Sequence, residues 1–187
     1  MWLFNDQLCR SIWLSYQGEV DVGGIKTYQF SPNPSVFSMS NPDNYCYCPK
    51  VSKCAVANDE DDTWDMSACE ICKDGILSLQ GCQGAPVVMS TPHFLDADPT
   101  LAEAIDGINP DREKHVTYLN LEPRTGMPLE AHKRIQISVP VFPSTMGISA
   151  LENAEQTIFP LVWVDEGADI GGDTLKTAKK MLVRWEE

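Results

Sequence analysis

The chain has 187 residues, 43% of them hydrophobic, with 27 acidic against 14 basic side chains and a net charge of −13. That is enough for one domain with its own core and too little for two. So acidic a surface repels phosphate backbones and anionic headgroups, which excludes nucleic-acid binding and general adsorption to a charged bilayer, and leaves neutral lipid or a basic protein patch as ligands.

Taken in chain order, Ile12–Tyr16 is apolar and partly alternating, Gly23-Gly24 is a turn, and Ile25–Phe30 is a second strand-like run, so a hairpin is predicted. Residues 31–82 carry Pro32, Pro34, Pro42 and Pro49, the acidic run Asp59–Asp62 and most of the cysteines, with little apolar periodicity. Such a segment packs poorly by burial alone and calls for covalent staples. A short strand is predicted at Ala85–Ser90. A helix follows from Asp98 as N-cap and Pro99 at the first turn, with Gly107 available to end it.

Val116–Leu121 is a strand, Glu122–Gly126 a turn, and Arg134–Val141 alternates cleanly, with Pro140 placing its end at an edge or bulge. Ile158–Val164 is a further strand. Thr174–Trp185 is a helix with Leu175, Ala178, Leu182 and Trp185 on one face. The total is about seven strands and two short helices. The fold class is mainly β with short helices.

No stretch reaches the roughly 18 apolar residues of a spanning helix. Met1–Asp6 lacks the basic start and apolar core of a signal peptide. The seven cysteines, Cys9, Cys46, Cys48, Cys54, Cys69, Cys72 and Cys82, nevertheless cluster as in exported or metal-binding proteins. A zinc ribbon needs two C-x2-C knuckles, and only Cys69 and Cys72 have that spacing, so disulfides are favoured over zinc. Acidic neighbours (Asp61, Asp62, Asp65, Glu70) oppose a redox role for the same pair. Asp59, Asp61, Thr63 and Glu70 echo a calcium loop, but Trp64 stands where the sharp turn needs glycine. His93, His115 and His132 are dispersed, no serine lies in a G-x-S-x-G turn, and Gly23-Gly24 and Gly171-Gly172 are ordinary turns. No enzymatic site and no cofactor are predicted.

One ordered series of segments is more specific. Leu8-Cys9-Arg10-Ser11, Asn41-Pro42-Asp43-Asn44-Tyr45-Cys46-Tyr47-Cys48 and Cys82-Gln83-Gly84-Ala85-Pro86 resemble the class B scavenger receptors. So do Pro92-His93-Phe94-Leu95, Ala97-Asp98-Pro99, Gly107-Ile108-Asn109-Pro110, Leu121–Gly126 and Ala131–Gln136. The resemblance implies a chain more than twice as long, anchored by a membrane helix near each end. Between the anchors it implies a twisted antiparallel β-barrel pierced by an apolar lipid tunnel. Residues 1–187 would be the C-terminal portion of that ectodomain, a partial, disulfide-stapled barrel, with Met1 marking a fragment and residues 57–74 an acidic insertion.

The resemblance further implies Cys9–Cys82 and Cys48–Cys54 bridges. Cys46 would be left unpaired because its partner lies upstream, and Cys69 and Cys72 would pair with each other or one of them with Cys46. It implies lipids, fatty acids, sterols or lipoproteins as partners, and a place in the plasma membrane or the lysosomal membrane. Glycans of such a glycoprotein would lie elsewhere, since Asn33-Pro34-Ser35 is a blocked sequon. The alternative is a self-contained cysteine-rich binding module held by disulfides or zinc.

Overall fold

Alternation of apolar and polar side chains at the start of the chain makes a long, two-faced hairpin. A computed structural model describes residues 1–41, 43–44, 56–57, 64–65, 72–141, 149, 153 and 155–184. In it, β1 (Trp2–Asn5) folds back on β2 (Arg10–Val22), and β2 pairs with β3 (Ile25–Pro32) across the Gly23-Gly24 turn. Gly23 and Gly24 both adopt positive φ, 60° and 86°, the conformation a two-residue hairpin turn demands of its centre. A bulge between Tyr16 and Gly18 bends β2.

Two minimal strands, β4 (Val56–Ala57) and β5 (Trp64–Asp65), pair only with each other. Next come β6 (Ile76–Ser78), α1 (Gln80–Gln83) and β7 (Val88–Ser90). Then follow α2 (Pro99–Glu103), α3 (Arg112–His115), β8 (Tyr118–Leu121), β9 (Pro128–Val141), β10 (Thr157–Asp169) and α4 (Gly172–Arg184). All pairings are antiparallel. The large sheet runs β1-β2-β3-β8-β9-β7-β6, with β10 on the other edge of β9. Among the described residues it is an open sheet, not a closed barrel.

Among the described residues the ten strands and four α-helices exceed the seven and two expected. The strands β1 and β6 and the helices α1 and α3 are too short or too charged to show a period. Two boundaries also move. The helix at Asp98 does use Asp98 as cap, its carboxylate accepting from Thr100 N at 2.9 Å, but it ends at Glu103, well before Gly107. Pro140 sits inside the β9–β10 ladder opposite Ile158, past the last β7 pair at Ser138–Val88.

The core lies in three clusters. Leu8, Ile12, Leu14, Val36, Phe37, Leu77, Leu79 and Met89 fill one face of the sheet. Ile76, Val88, Phe94, Leu101, Ile158 and Cys72 pack on the other, beneath α2. Leu175, Ala178 and Leu182 of α4 dock on Ile25 and Leu129, as the helical pattern predicts; Trp185 lies outside the described residues.

A disulfide joins Cys9, in the turn between β1 and β2, to Cys82 in α1, with the Cα atoms 5.9 Å apart and the two cysteines 73 positions apart in sequence. Cys72 is also disulfide-bonded. Its partner and Cys46, Cys48, Cys54 and Cys69, with the calcium-like acidic run, lie outside the described residues. A sulfur held in a disulfide is no thiolate ligand, so Cys72 and Cys82 are not zinc donors.

The turn from β8 to β9 is held by Glu122, which is 4% exposed. Its Oε2 accepts from Thr125 N at 2.7 Å, Thr125 Oγ1 at 2.7 Å and Arg124 N at 3.1 Å. Burial works to raise its pKa, but the hydrogen bonds from Thr125 and Arg124 outweigh it and hold the carboxyl below its usual value. The unfolded chain therefore takes up this proton first, and the stabilisation is lost as pH falls through the lowered pKa.

Two outcomes follow. Replacing Cys9 and Cys82 together by alanine should lower unfolding stability by about 4 kcal/mol, the loop-closure value for a ring of this length, read in urea titrations. Glu122→Gln should lower the unfolding midpoint at neutral pH, and the deficit should shrink on acidification, because the wild-type carboxyl is then neutral as well.

Candidate functional site

The apolar cluster on one face of the sheet does not close on itself. Between the β1–β2 turn and the strands β8 and β9 it leaves a cavity of about 150 Å³. Its walls include Leu8, Leu14, Phe30, Phe37, Leu119 and Ile135. These residues come from four strands and two turns, each contributing its inward-facing positions. A cavity of this size with largely aliphatic and aromatic walls admits an apolar group about the size of benzene. A whole small-molecule ligand needs roughly 300 Å³ or more, so this space accommodates a stretch of hydrocarbon, not a complete lipid.

One end of the cavity is polar. Lys133 Nζ meets Glu166 Oε2 and Gln7 Oε1, both at 2.6 Å. Gln7 is itself tethered, its carbonyl accepting from Gln83 Nε2 at 3.1 Å beside the Cys9–Cys82 bridge. The disulfide therefore fixes the lip of the cavity as well as the chain entry. Buried Asn44 supports the same corner, its side chain donating to Val36 O at 2.9 Å and Ser38 O at 2.7 Å and accepting from Arg10 at 2.6 Å. Neither Gln7 nor Lys133 stood out in the sequence; Lys133 lies in the recognised segment Ala131–Gln136, and Gln7 only borders the segment Leu8–Ser11.

Three other segments of that series converge on the opposite side of the sheet. His93 and His115 stack with ring centroids 4.3 Å apart, and Trp163 meets His115 edge-on at 5.9 Å. Asn109 N donates to His93 Nδ1 at 3.0 Å, Asp111 N donates to His115 Nδ1 at 2.9 Å, and His93 N donates to Gln136 Oε1 at 2.9 Å. His93 holds φ of 54°, an uncommon conformation outside glycine that these contacts impose. With Nδ1 accepting a backbone N–H, each ring carries its proton on Nε2 and neither Nδ1 is available as a base. The pair is a structural joint.

Burial, then repulsion from His93, pushes the His115 pKa below 6.5. The unfolded chain takes up that proton first, so the joint stabilises the fold above the unfolded pKa and loses that stabilisation as pH falls. Thermal unfolding should therefore weaken on going from about pH 7 to pH 5, and His115→Phe should flatten that slope. An unchanged slope in the variant would assign the acid sensitivity elsewhere.

Comparison with known proteins gives one consistent result. The model of the CD36 family matches residues 1–186. The chain is 33% identical to sensory neuron membrane protein 2 of Manduca sexta over 171 residues, 90% of this chain. It is 32% identical to scavenger receptor class B member 1 of Rattus norvegicus over 184 residues, and 30% identical to sensory neuron membrane protein 1 of Apis mellifera over 179, in both cases 96% of this chain. It spans 30–32% of the length of these relatives.

Proposed function

The chain belongs to the CD36 family, and from that premise we propose that it forms part of the lipid-handling ectodomain of a membrane-anchored scavenger receptor. The observation that carries the reading is the apolar cavity beneath Phe30, Leu119 and Ile135. It holds a segment of an acyl chain or sterol, and a series of such spaces would make a conduit. Fatty acids, sterols or the lipids of lipoproteins are the fitting ligands. Passive transfer needs an apolar path and no catalytic group, so the role is that of a receptor, not an enzyme.

The relatives named above are a scavenger receptor and sensory neuron membrane proteins, which supports a membrane-bound parent. Among the described residues no helix is long and apolar enough to cross a membrane. Attachment therefore falls to segments outside the described residues, and either plasma-membrane or lysosomal residence fits. Two edges of the sheet expose large apolar side chains: Trp2 (65%) and Phe4 (67%) on β1, and Phe159, Leu161, Val162 and Trp163 on β10. In our reading these edges are where further strands of a longer chain complete a barrel. Cys48–Cys54 would add a second staple, Cys46 would pair outside this sequence, and residues 57–74 would be an acidic insertion.

A fatty acid carrying a mid-chain diazirine tests the conduit. Photolabelling of the 187-residue chain should be saturable, competed by unlabelled fatty acid, and map to peptides holding Phe30, Leu119 or Ile135. Ala131→Trp, which fills the cavity, should abolish the competed fraction. Labelling that is spread over the surface, or indifferent to Ala131→Trp, would overturn the proposal.

A further inference from the structure

Strand register builds a second constellation on the sheet face away from the cavity. Along β9, Glu130, His132 and Arg134 share a face by the two-residue period. Tyr118 and Asn120 of β8 stand opposite His132 and Glu130, and Asp165, Gly167 and Asp169 of β10 stand opposite Arg134, His132 and Glu130. Glu130 and Asp169 are thus two carboxylates directly opposite each other across an antiparallel pair, an arrangement that costs stability unless a cation lies between them. Arg134 does not fill that role: its Nε is bound to Asp165 Oδ2 at 2.9 Å and its Nη1 to Val116 O at 3.1 Å.

What lies between them is His132. Its Nε2 stands 3.5 Å from Asp169 Oδ1. That is the outer limit for a hydrogen bond, yet two ligands bound tetrahedrally at about 2.1 Å to one ion stand roughly 3.4 Å apart. One donor atom each from Glu130, His132 and Asp169 falls within 4.8 Å of the others. The remaining contacts are those that orient metal ligands. His132 Nδ1 is held by Asp165 Oδ1 at 2.9 Å. Glu130 accepts from Tyr118 Oη at 2.7 Å and Asn120 Nδ2 at 2.8 Å.

A second observation lies beside Glu130. Asn120 is 1% exposed, its carboxamide is turned to Glu130, and its Oδ1 is the one buried side-chain polar atom without a partner among the described residues. A buried carbonyl oxygen left unpaired is costly, and a water held by an ion beside Glu130 would remove that cost.

We propose that Glu130, His132 and Asp169 bind a first-row divalent ion of the zinc type, with Asn120 Nδ2 kept on Glu130. One imidazole with two carboxylates suits zinc better than calcium, which takes oxygen ligands alone. The ion would tie the end of β10, just before α4, to β9 and β8. This site stands apart from the lipid reading and from the cysteine cluster.

The test is calorimetric titration of zinc chloride into the oxidised 187-residue chain with free thiols alkylated. Binding of one ion per chain is expected. Asp169→Asn, at a side chain 70% exposed and therefore tolerant of change, should weaken binding at least about tenfold, as should His132→Gln. Asp173→Asn, an exposed carboxylate outside the cluster, should leave it unchanged. Where His132→Gln lowers folding, Asp169→Asn alone decides. Cobalt bound in place of zinc should show ligand-field bands with no thiolate charge-transfer band. Absence of binding, affinity indifferent to Asp169→Asn, or a thiolate band would each overturn the proposal.

Discussion

The strand β9 is the constraint on which the rest of the molecule depends. Its outer edge is covered by β10 along nearly its whole length, while β8 and then β7 share its inner edge. The side-chain period of two then sorts its residues without exception. By that alternation Ala131, Lys133 and Ile135 share one face of the sheet, and Glu130, His132, Arg134 and Gln136 share the other. A slip of one residue would drive a glutamate and an arginine into the apolar space and set an isoleucine among ion pairs. The turn held by Glu122 sits at the start of this strand and resists that slip.

Much of the fold was legible in the residues, and the limits have physical causes. The β2–β3 hairpin showed itself through alternation and two glycines, and α2 through Asp98 and Pro99. The strand β9 was legible only from Arg134 onward. In its first half Leu129 and Ala131 alternate with Glu130 and His132, but the pattern breaks at Lys133, a charged residue on the apolar face. The strand β1 went unread because Trp2, Leu3 and Phe4 are apolar in succession, and α3 because Arg-Glu-Lys-His has no apolar face. The far end of β10 is charged and exposed and carries no strand signal of its own.

The candidate sites divide in the same way. The cavity's apolar walls belong to strands with clear patterns, so an apolar face was expected there, although the lip formed by Gln7 and Lys133 was not. The carboxylate–histidine constellation had no sequence signal. Glu130 and Asp169 are 39 positions apart, and only the register of β9 against β10 makes them neighbours. The stacked histidines are an intermediate case. His93 sits in a recognisable segment and His115 does not, and their contact is a product of three loops meeting.

The outer edge of β10 sets the conditions under which this chain stays dispersed. Phe159, Leu161, Val162 and Trp163 offer apolar side chains on a strand with a single neighbour among the described residues, an invitation to pair with another copy. Pro160 lacks an N–H to donate, and the bulge beside it breaks the flat template. Beyond the bulge the strand carries Asp165, Glu166 and Asp169, so two copies meeting edge to edge would oppose like charges on chains already at −13. The guard is electrostatic. It thins in high salt and vanishes as the medium approaches the isoelectric point near 4.5, where the same edge becomes a seed for assembly.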